Sequence, residues 1–356
     1  MTTMIRVLIV DDSPTLRYLI RTTLESDPEV QVVGEARNGE EAIALCHKLE
    51  PDIITMDIQM PKMDGYQAIR RIMAESARPI VVLTSTMSDI QLGISFKALE
   101  AGALMVLGKP HGLPGEDPEA DRLIAHVKAM AGVKVVARRR WLQRETPEPP
   151  PRQPCPRPAA GPVRLIAIGA STGGPPALQV ILSGLSPTLS VPIVVVQHIS
   201  PGFVQGLAHW LDQTTPLRVK VAESGESLQP GTVYLAPDGK HLQVTENTMA
   251  WLRDSPPVDG HRPSATALFE SVAQTYGARA VGVLLTGMGG DGAQGLKALW
   301  DAGGLTIAQD EATCVIFGMP KQAIALGAAT EVLPLPQIGT RLVELVAVRQ
   351  RLDIGY

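Results

Sequence analysis

Aromatic side chains are scarce: Phe, Trp and Tyr make up 4% of the 356 residues. The core must therefore be built from Val, Ile, Leu and Ala, a palette that suits parallel sheets with helices on both faces. Only three cysteines are present, Cys46, Cys155 and Cys314, and no two form a CxxC. That number and spacing argue against a disulfide framework or a zinc site and fit a reducing compartment. No stretch reaches the ~18 uninterrupted apolar residues of a membrane helix. In MTTMIRVLIVDDS the apolar run before two aspartates is too short for a signal peptide, so the cytoplasm is the expected location. Nor does one sign of charge dominate: the formal net charge is −4. Nothing here makes the broad basic field that nucleic acid would attract.

Proline, by contrast, is concentrated. RETPEPPPRQPCPRPAAGP, from Arg144 to Pro162, can form neither a helix nor an interior strand, because its prolines lack donors and favour extended geometry. It reads as a semi-rigid linker. Before it, ADRLIAHVKAMAGVKVV has helical spacing of apolar residues, and ARRRW adds a basic cluster that fits a solvated helix end. The expected organisation is a first domain over 1–130, a linker over 131–162 that is amphipathic and basic before it turns Pro-rich, and a second domain over 163–348. The length suits two domains of ~150 residues each.

The first domain alternates strand and helix. RVLIV, VQVVGEA, DIITMD, PIVVLTS and ALMVLGKP read as strands, with helical segments such as TLRYLIRTTLES between them. Asn38 opens the segment GEEAIALCHKLE as a helix start. Repeated βα units predict a doubly wound parallel sheet. Asp11 and Asp12 follow the first strand, Asp57 ends the third, Thr84 the fourth and Lys109 the fifth. The carboxyl ends of parallel strands line the ligand crevice of such a sheet. Carboxylates crowded there repel one another unless a cation binds, and hard oxygen ligands suit Mg²⁺. A carboxylate beside such a cation can accept a phosphoryl group. A lone Asp-Asp pair is more often a turn or a cap, but five matching residues at four strand ends are hard to read that way.

VLIVDDSPTLR, TMDIQMPKMDG, VVLTS and LGKP resemble the response-regulator receiver domain, a flavodoxin-like fold, over about residues 4–130. The resemblance implies Asp57 as phosphoacceptor. It also implies Asp11, Asp12, Asp57 and the carbonyl of Gln59 as Mg²⁺ ligands, with Thr84 and Lys109 as sensors of the phosphoryl group. It further implies a cis Lys109–Pro110 bond. The position three before the lysine, often aromatic in that family, is Val106 here, which puts an aromatic switch in doubt.

The second domain begins with a second βα series. RLIAIG is a strand and PPALQVILSGL a helix, so Ser171 sits at the turn between them. Gly169, Ser171 and Gly173 satisfy the G-x-S-x-G spacing of a nucleophile elbow. The same loop could cradle a dinucleotide, but such a loop expects an acidic residue at the end of the next strand. VPIVVV ends instead in Gln197-His198. A later strand, AVGVLL, runs into TGMGGDGAQGL, whose Asp291 again precedes a helix. Ser171, His198 and Asp291 thus fall at strand ends and supply a nucleophile, a base and an orienting carboxylate. Their chain order differs from that of α/β-hydrolases. His209, His241 and His261 are rival bases, and Asp291 taken alone would most often be a helix cap.

IGASTGG, QHISPGF, VYLAPDGKHL, DGHRPS and LLTGMGGDGAQGL resemble the chemotaxis protein-glutamate methylesterase family, CheB, over about residues 163–348. The order of receiver, linker and esterase matches the whole chain. The resemblance implies a Rossmann-like serine hydrolase that converts glutamate methyl esters on chemoreceptors to glutamate and methanol and deamidates receptor glutamines. It implies Ser171, His198 and Asp291 as the triad, Thr172 helping to hold the histidine and the Met288 N–H serving the oxyanion. The segment around His261 and Arg262 is then structural or substrate-facing. Receptors would be the substrate and a CheA-type histidine kinase the phosphodonor. The receiver would cover the esterase site until Asp57 is phosphorylated. The esterase would need no cofactor, and a monomer is expected. Two other readings stand beside it: a response regulator whose second half only binds a partner or DNA, and an esterase for another acyl substrate. The second half has neither a helix-turn-helix nor a basic stripe for DNA.

Overall fold

The computed structural model describes residues 4–84, 96–133 and 161–353. The chain divides into two compact units, Met1–Thr146 and Pro147–Tyr356. Residues 134–160, most of the expected linker and its basic cluster, lie outside the described residues.

In the first unit five parallel strands form one sheet: β1 Ile5–Val10, β2 Val30–Ala36, β3 Ile53–Asp57, β4 Ile80–Thr84 and β5 Met105–Gly108. Their order is β2-β1-β3-β4-β5, the flavodoxin-like arrangement. Every residue of IITMD in β3 and IVVLT in β4 is buried, because these strands are covered on both faces. The edge strand β2 instead exposes Gln31 and Glu35. Among the helices that flank the sheet are α1 Pro14–Glu25, α2 Gly39–Leu49, α3 Gly65–Glu75 and α4 Pro118–Met130. Their starts follow from side-chain caps. Ser13, Asn38, Asp64 and Asp117 each accept a backbone N–H from the first turn.

The start of α3 presses on the end of β3. A Cβ on Gly65 would overlap the Asp57 carbonyl oxygen and lie 2.8 Å from the Ile58 Cα. Both are backbone atoms and neither can move aside cheaply. Gly65→Ala should therefore cost the first unit about 1–3 kcal/mol, read as a lower denaturant midpoint in chemical unfolding of the full chain. An unchanged midpoint would contradict this packing.

The second unit has seven parallel strands in the order β14-β13-β12-β6-β7-β9-β8. They are β6 Leu165–Ala170, β7 Ile193–Gln197, β8 Arg218–Val221, β9 Thr232–Leu235, β12 Ala280–Leu284, β13 Leu305–Gln309 and β14 Glu331–Leu333. A separate antiparallel pair is made by β10 His241–Val244 and β11 Ala250–Arg253. The helices are α5 Gly174–Ser183, α6 Val204–Thr214, α7 Ala265–Tyr276, α8 Ala293–Asp301, α9 Met319–Ala325 and α10 Leu335–Asp353. The central strands LIAIGA, IVVVQ and AVGVL are wholly buried. The chain builds outward from β6 to β7 on one side and later fills β12, β13 and β14 on the other. That reversal makes a topological switch point beside β6, where a crevice opens at the strand ends. Both units are thus doubly wound α/β sheets, as expected.

Candidate functional site

Two strand-end sites are built, one in each unit. In the first, Asp11 and Asp57 are buried and Asp12 is exposed. One carboxylate oxygen from each lies within 4.8 Å of the others, so these hard ligands can hold a metal ion. Lys109 Nζ reaches in from the end of β5, 2.7 Å from Asp11 Oδ2 and 3.1 Å from Asp57 Oδ2. The Ile58 N–H donates to Asp57 Oδ1 at 2.7 Å. Burial pushes the Asp57 carboxyl above its usual range; Lys109 opposes that shift and Asp11 adds to it. Burial works against the charged form of Lys109, but the two carboxylates outweigh it and hold the ammonium above its ordinary value.

The remaining expected residues of this site are also placed. Thr84 is buried at the end of β4, and its carbonyl accepts the Lys109 N–H at 2.9 Å. Gln59 lies exposed two residues beyond Asp57. Val106 is buried within β5. One expectation fails. The Lys109–Pro110 bond is trans, the ordinary state of a prolyl bond, and the cis bond among the described residues is Arg262–Pro263.

In the second unit the three central strands β12, β6 and β7 deliver Asp291, Ser171 and His198 to one edge. Backbone bonds tie their loops together. The Ser171 N–H donates to Thr286 O at 3.0 Å, and the His198 N–H to Ala170 O at 2.9 Å. The Gln197 side chain braces the serine and histidine loops at once: its Nε2 donates to Ser171 O and His198 O, each at 2.8 Å. Close approach finishes the arrangement. A Cβ on Gly287 would lie 2.6 Å from the Ser171 Cβ and would overlap Met319 Sδ. Only glycine lets the 285–291 loop lie against the serine.

His198 Nε2 is 2.8 Å from Asp291 Oδ2. That contact falls outside hydrogen-bond geometry, and neither His198 ring nitrogen has a hydrogen-bond partner among the described residues. A carboxylate on Nε2 favours the tautomer with its proton there and leaves Nδ1 as a lone pair. Asp291 is 2% exposed and sits in the loop before α8, yet it does not cap that helix, whose N-cap is Gly292. It faces the start of α7 instead. Ser264 Oγ donates to Asp291 Oδ1 at 2.7 Å, the Ala265 N–H to Oδ2 at 2.7 Å and the Thr266 N–H to Oδ1 at 3.1 Å. Burial alone would raise this carboxyl. The His198 contact and the α7 donors overcome it and hold Asp291 well below the usual carboxylate range. It therefore stays ionised at neutral pH.

Met288, in the same glycine loop, is 41% exposed. Its N–H enters no hydrogen bond among the described residues. Thr172 is buried, and its Oγ1 has no hydrogen-bond partner among the described residues, so it does not hold His198 as expected. Its backbone is held instead, with Thr286 Oγ1 donating to Thr172 O at 2.9 Å. Of the rival bases, His209 is exposed on α6. His241 is fully buried in β10, between Pro256 O and the Ser264 N–H. His261 does reach the site, stacked on the His198 ring. Gln197, Ser264 and Thr266 are supports that sequence reasoning missed; a Ser-x-Thr opening a helix was their only trace.

A family model described as "CheB methylesterase" matches residues 166–342, and one described as "Response regulator receiver domain" matches 7–114. A protein-glutamate methylesterase/protein-glutamine glutaminase of Geobacter metallireducens is 46% identical over 345 residues, covering 96% of this chain and 99% of that protein. The chain belongs to the protein-glutamate methylesterase/protein-glutamine glutaminase family. A relative of the same description in Myxococcus xanthus is 49% identical over 346 residues, 95% of this chain and 96% of its own length. Among solved structures, the CheB methylesterase catalytic domain of Thermotoga maritima is 43% identical with a TM-score of 0.50, covering 52% of this chain and 99% of that one. Each half of this family member therefore carries one of the two strand-end sites. Among the described residues, no helix is long and apolar enough to cross a membrane.

Proposed function

We propose that this chain is a cytoplasmic, phosphorylation-regulated methylesterase that hydrolyses glutamate methyl esters on chemoreceptors and deamidates receptor glutamines. The observation that carries the reading is the 2.8 Å contact of His198 Nε2 with Asp291 Oδ2, the carboxylate being buried and clamped at the strand edge that also presents Ser171. Ser171 Oγ attacks the ester carbonyl and its proton passes to His198. Asp291 holds the imidazole in the needed tautomer and stabilises the imidazolium. The Met288 N–H donates to the oxyanion; one such donor typically supplies about 3–4 kcal/mol of barrier lowering. Collapse of the intermediate gives methanol, which takes the proton from His198, and an acyl-Ser171. Water, deprotonated by the same imidazole, then releases the glutamate carboxylate. With a glutamine side chain, ammonia leaves at the first step instead.

Control comes from the first unit. Asp57 accepts a phosphoryl group from a histidine kinase of the CheA type. The carboxylates of Asp11, Asp12 and Asp57 with the carbonyl of Gln59 would hold Mg²⁺, which neutralises charge around the phosphoryl oxygens. Phosphorylation adds roughly 1 to 2 negative charges at Asp57. Lys109, already 3.1 Å from Asp57, and the Thr84 hydroxyl are the groups that answer it.

The test is methanol release from methylated receptor membranes with and without a small phosphodonor. The wild type should release methanol faster with the phosphodonor. Asp57→Asn should lose that stimulation entirely. Stimulation that survives in Asp57→Asn would remove the phosphoacceptor, and no methanol from the wild type would remove the substrate.

A further inference from the structure

The His261 ring lies flat on the ring of His198. Its centroid lies 4.3 Å from that of His198, with the planes 18° apart. The contact is built, because the His261 backbone is fixed by a reciprocal pair with Val258. The His261 N–H donates to Val258 O at 2.9 Å and the Val258 N–H to His261 O at 3.0 Å. The ring is fixed too: His261 Nδ1 is 2.8 Å from the Asp259 carbonyl oxygen. A carbonyl only accepts, so Nδ1 carries a proton and Nε2 has the lone pair of a neutral ring.

The same short segment does a second thing. Three to five residues further on, Ser264, Ala265 and Thr266 grip both oxygens of Asp291. One stretch of chain, 261–266, therefore places a flat face on His198 and donors on the partner of His198. A histidine placed merely to fill space would not require that pairing.

We propose that His261 is a positioning residue for the esterase reaction: its stacked ring fixes the plane of His198, so that Nε2 stays on Asp291 and Nδ1 stays free for the serine proton. The inference rests on His198 acting as the base, as argued above. A neutral aromatic face also suits the cation that His198 becomes, since a cation over a ring is attracted by its quadrupole. The charged groups around His261 are Asp259 and Arg262 in its own loop, His198 after β7 and Asp291 before α8. Arg262 is engaged with Asp254 at 2.8 Å. Burial first, and then the nearby His198 charge, hold His261 below its ordinary value; Asp291 and Asp259 oppose this without reversing it. The stacking partner is thus kept in the neutral form.

The test uses the full chain on methylated receptor membranes, with kcat and KM measured separately. His261→Ala removes the plate and should lower kcat about 10- to 100-fold with KM unchanged, the scale of a misplaced catalytic group. His261→Phe keeps a flat π face and should restore most of that loss. His261→Gln, which can bond but cannot stack, should resemble His261→Ala and replaces it if that variant does not fold. Three outcomes would overturn the inference: wild-type kcat in His261→Ala, a loss carried by KM, or His261→Phe no better than His261→Ala. His198→Ala in the same assay separates the two levels. If it retains activity, the triad fails. If it is inactive while His261→Ala behaves as wild type, only the positioning role falls.

Discussion

Ser171→Ala should reduce methanol release by at least about 10⁴-fold, with receptor binding little changed. The hydroxyl is the one group in the account that bonds to the substrate carbon. Removing such a nucleophile leaves only the contributions of binding and oxyanion donors, and knockouts of this kind cost ~10⁶ in a serine protease. The fold should tolerate the change. Ser171 is braced through its backbone, by the Thr286 carbonyl, the Gly174 N–H and the Gln197 side chain, all of which alanine keeps. Unfolding midpoints of the two proteins should agree while their rates do not. A rate within tenfold of wild type would mean that the methyl ester is cleaved elsewhere.

Asp291→Asn should cost about 10⁴-fold in kcat, the size of the corresponding change in a serine protease triad. The physical reason is specific to this clamp. Both Asp291 oxygens already accept from α7, so the carboxylate is an acceptor on every side. An amide NH₂ must then face either the α7 donors or His198. If it faces α7, two donors collide and the segment shifts. If it faces His198, it presents a donor to Nε2, and the imidazole flips to the wrong tautomer. In the second case Nδ1 is no longer a base; in the first the segment that clamps the residue beside His198 is displaced, and the imidazole loses its placement. Stability should fall too, because the α7 start loses an acceptor; a buried group left unsatisfied costs about 1–3 kcal/mol. The kinetic loss should persist at temperatures where the variant is fully folded. Full activity in Asp291→Asn would mean that the contact with His198 is structural.

How much of this could be read beforehand differs by residue. The five strands of the first sheet and the three central strands of the second were legible because a strand covered on both faces must be apolar throughout, and RVLIV, LIAIG and AVGVL are short β-branched runs between polar turns; the outer strands β8, β9, β13 and β14 were not read. Ser171, His198 and Asp291 were legible as strand-end positions, since parallel strands bring their carboxyl ends together wherever they lie in the chain. What holds them was not. The three donors to Asp291 come from residues 264–266, and two of them are backbone N–H groups, which carry no side-chain signature. Asp291 looked like a cap for the helix that follows it, but it serves a different helix. His261 was seen as a competitor of His198, because sequence gives residue type and not the angle between two rings. Thr172 was expected to bond the histidine; the hydroxyl is near the site but unpartnered, and its carbonyl is what the fold uses. In the first unit the acidic pocket and Lys109 were legible for the same strand-end reason. The geometry of the prolyl bond after Lys109 was not, because residue identity alone leaves both isomers open.

The measurement that bears most directly on the central claim is a double-mutant cycle on methanol release. Ser171→Ala, His198→Ala and the double variant are compared on the same receptor membranes. A nucleophile and its base act as one unit, so losing either should cost about as much as losing both. The account predicts that the double variant is no slower than Ser171→Ala alone. Losses that multiply in the double variant would mean that Ser171 and His198 work independently, and the site as described here would be wrong.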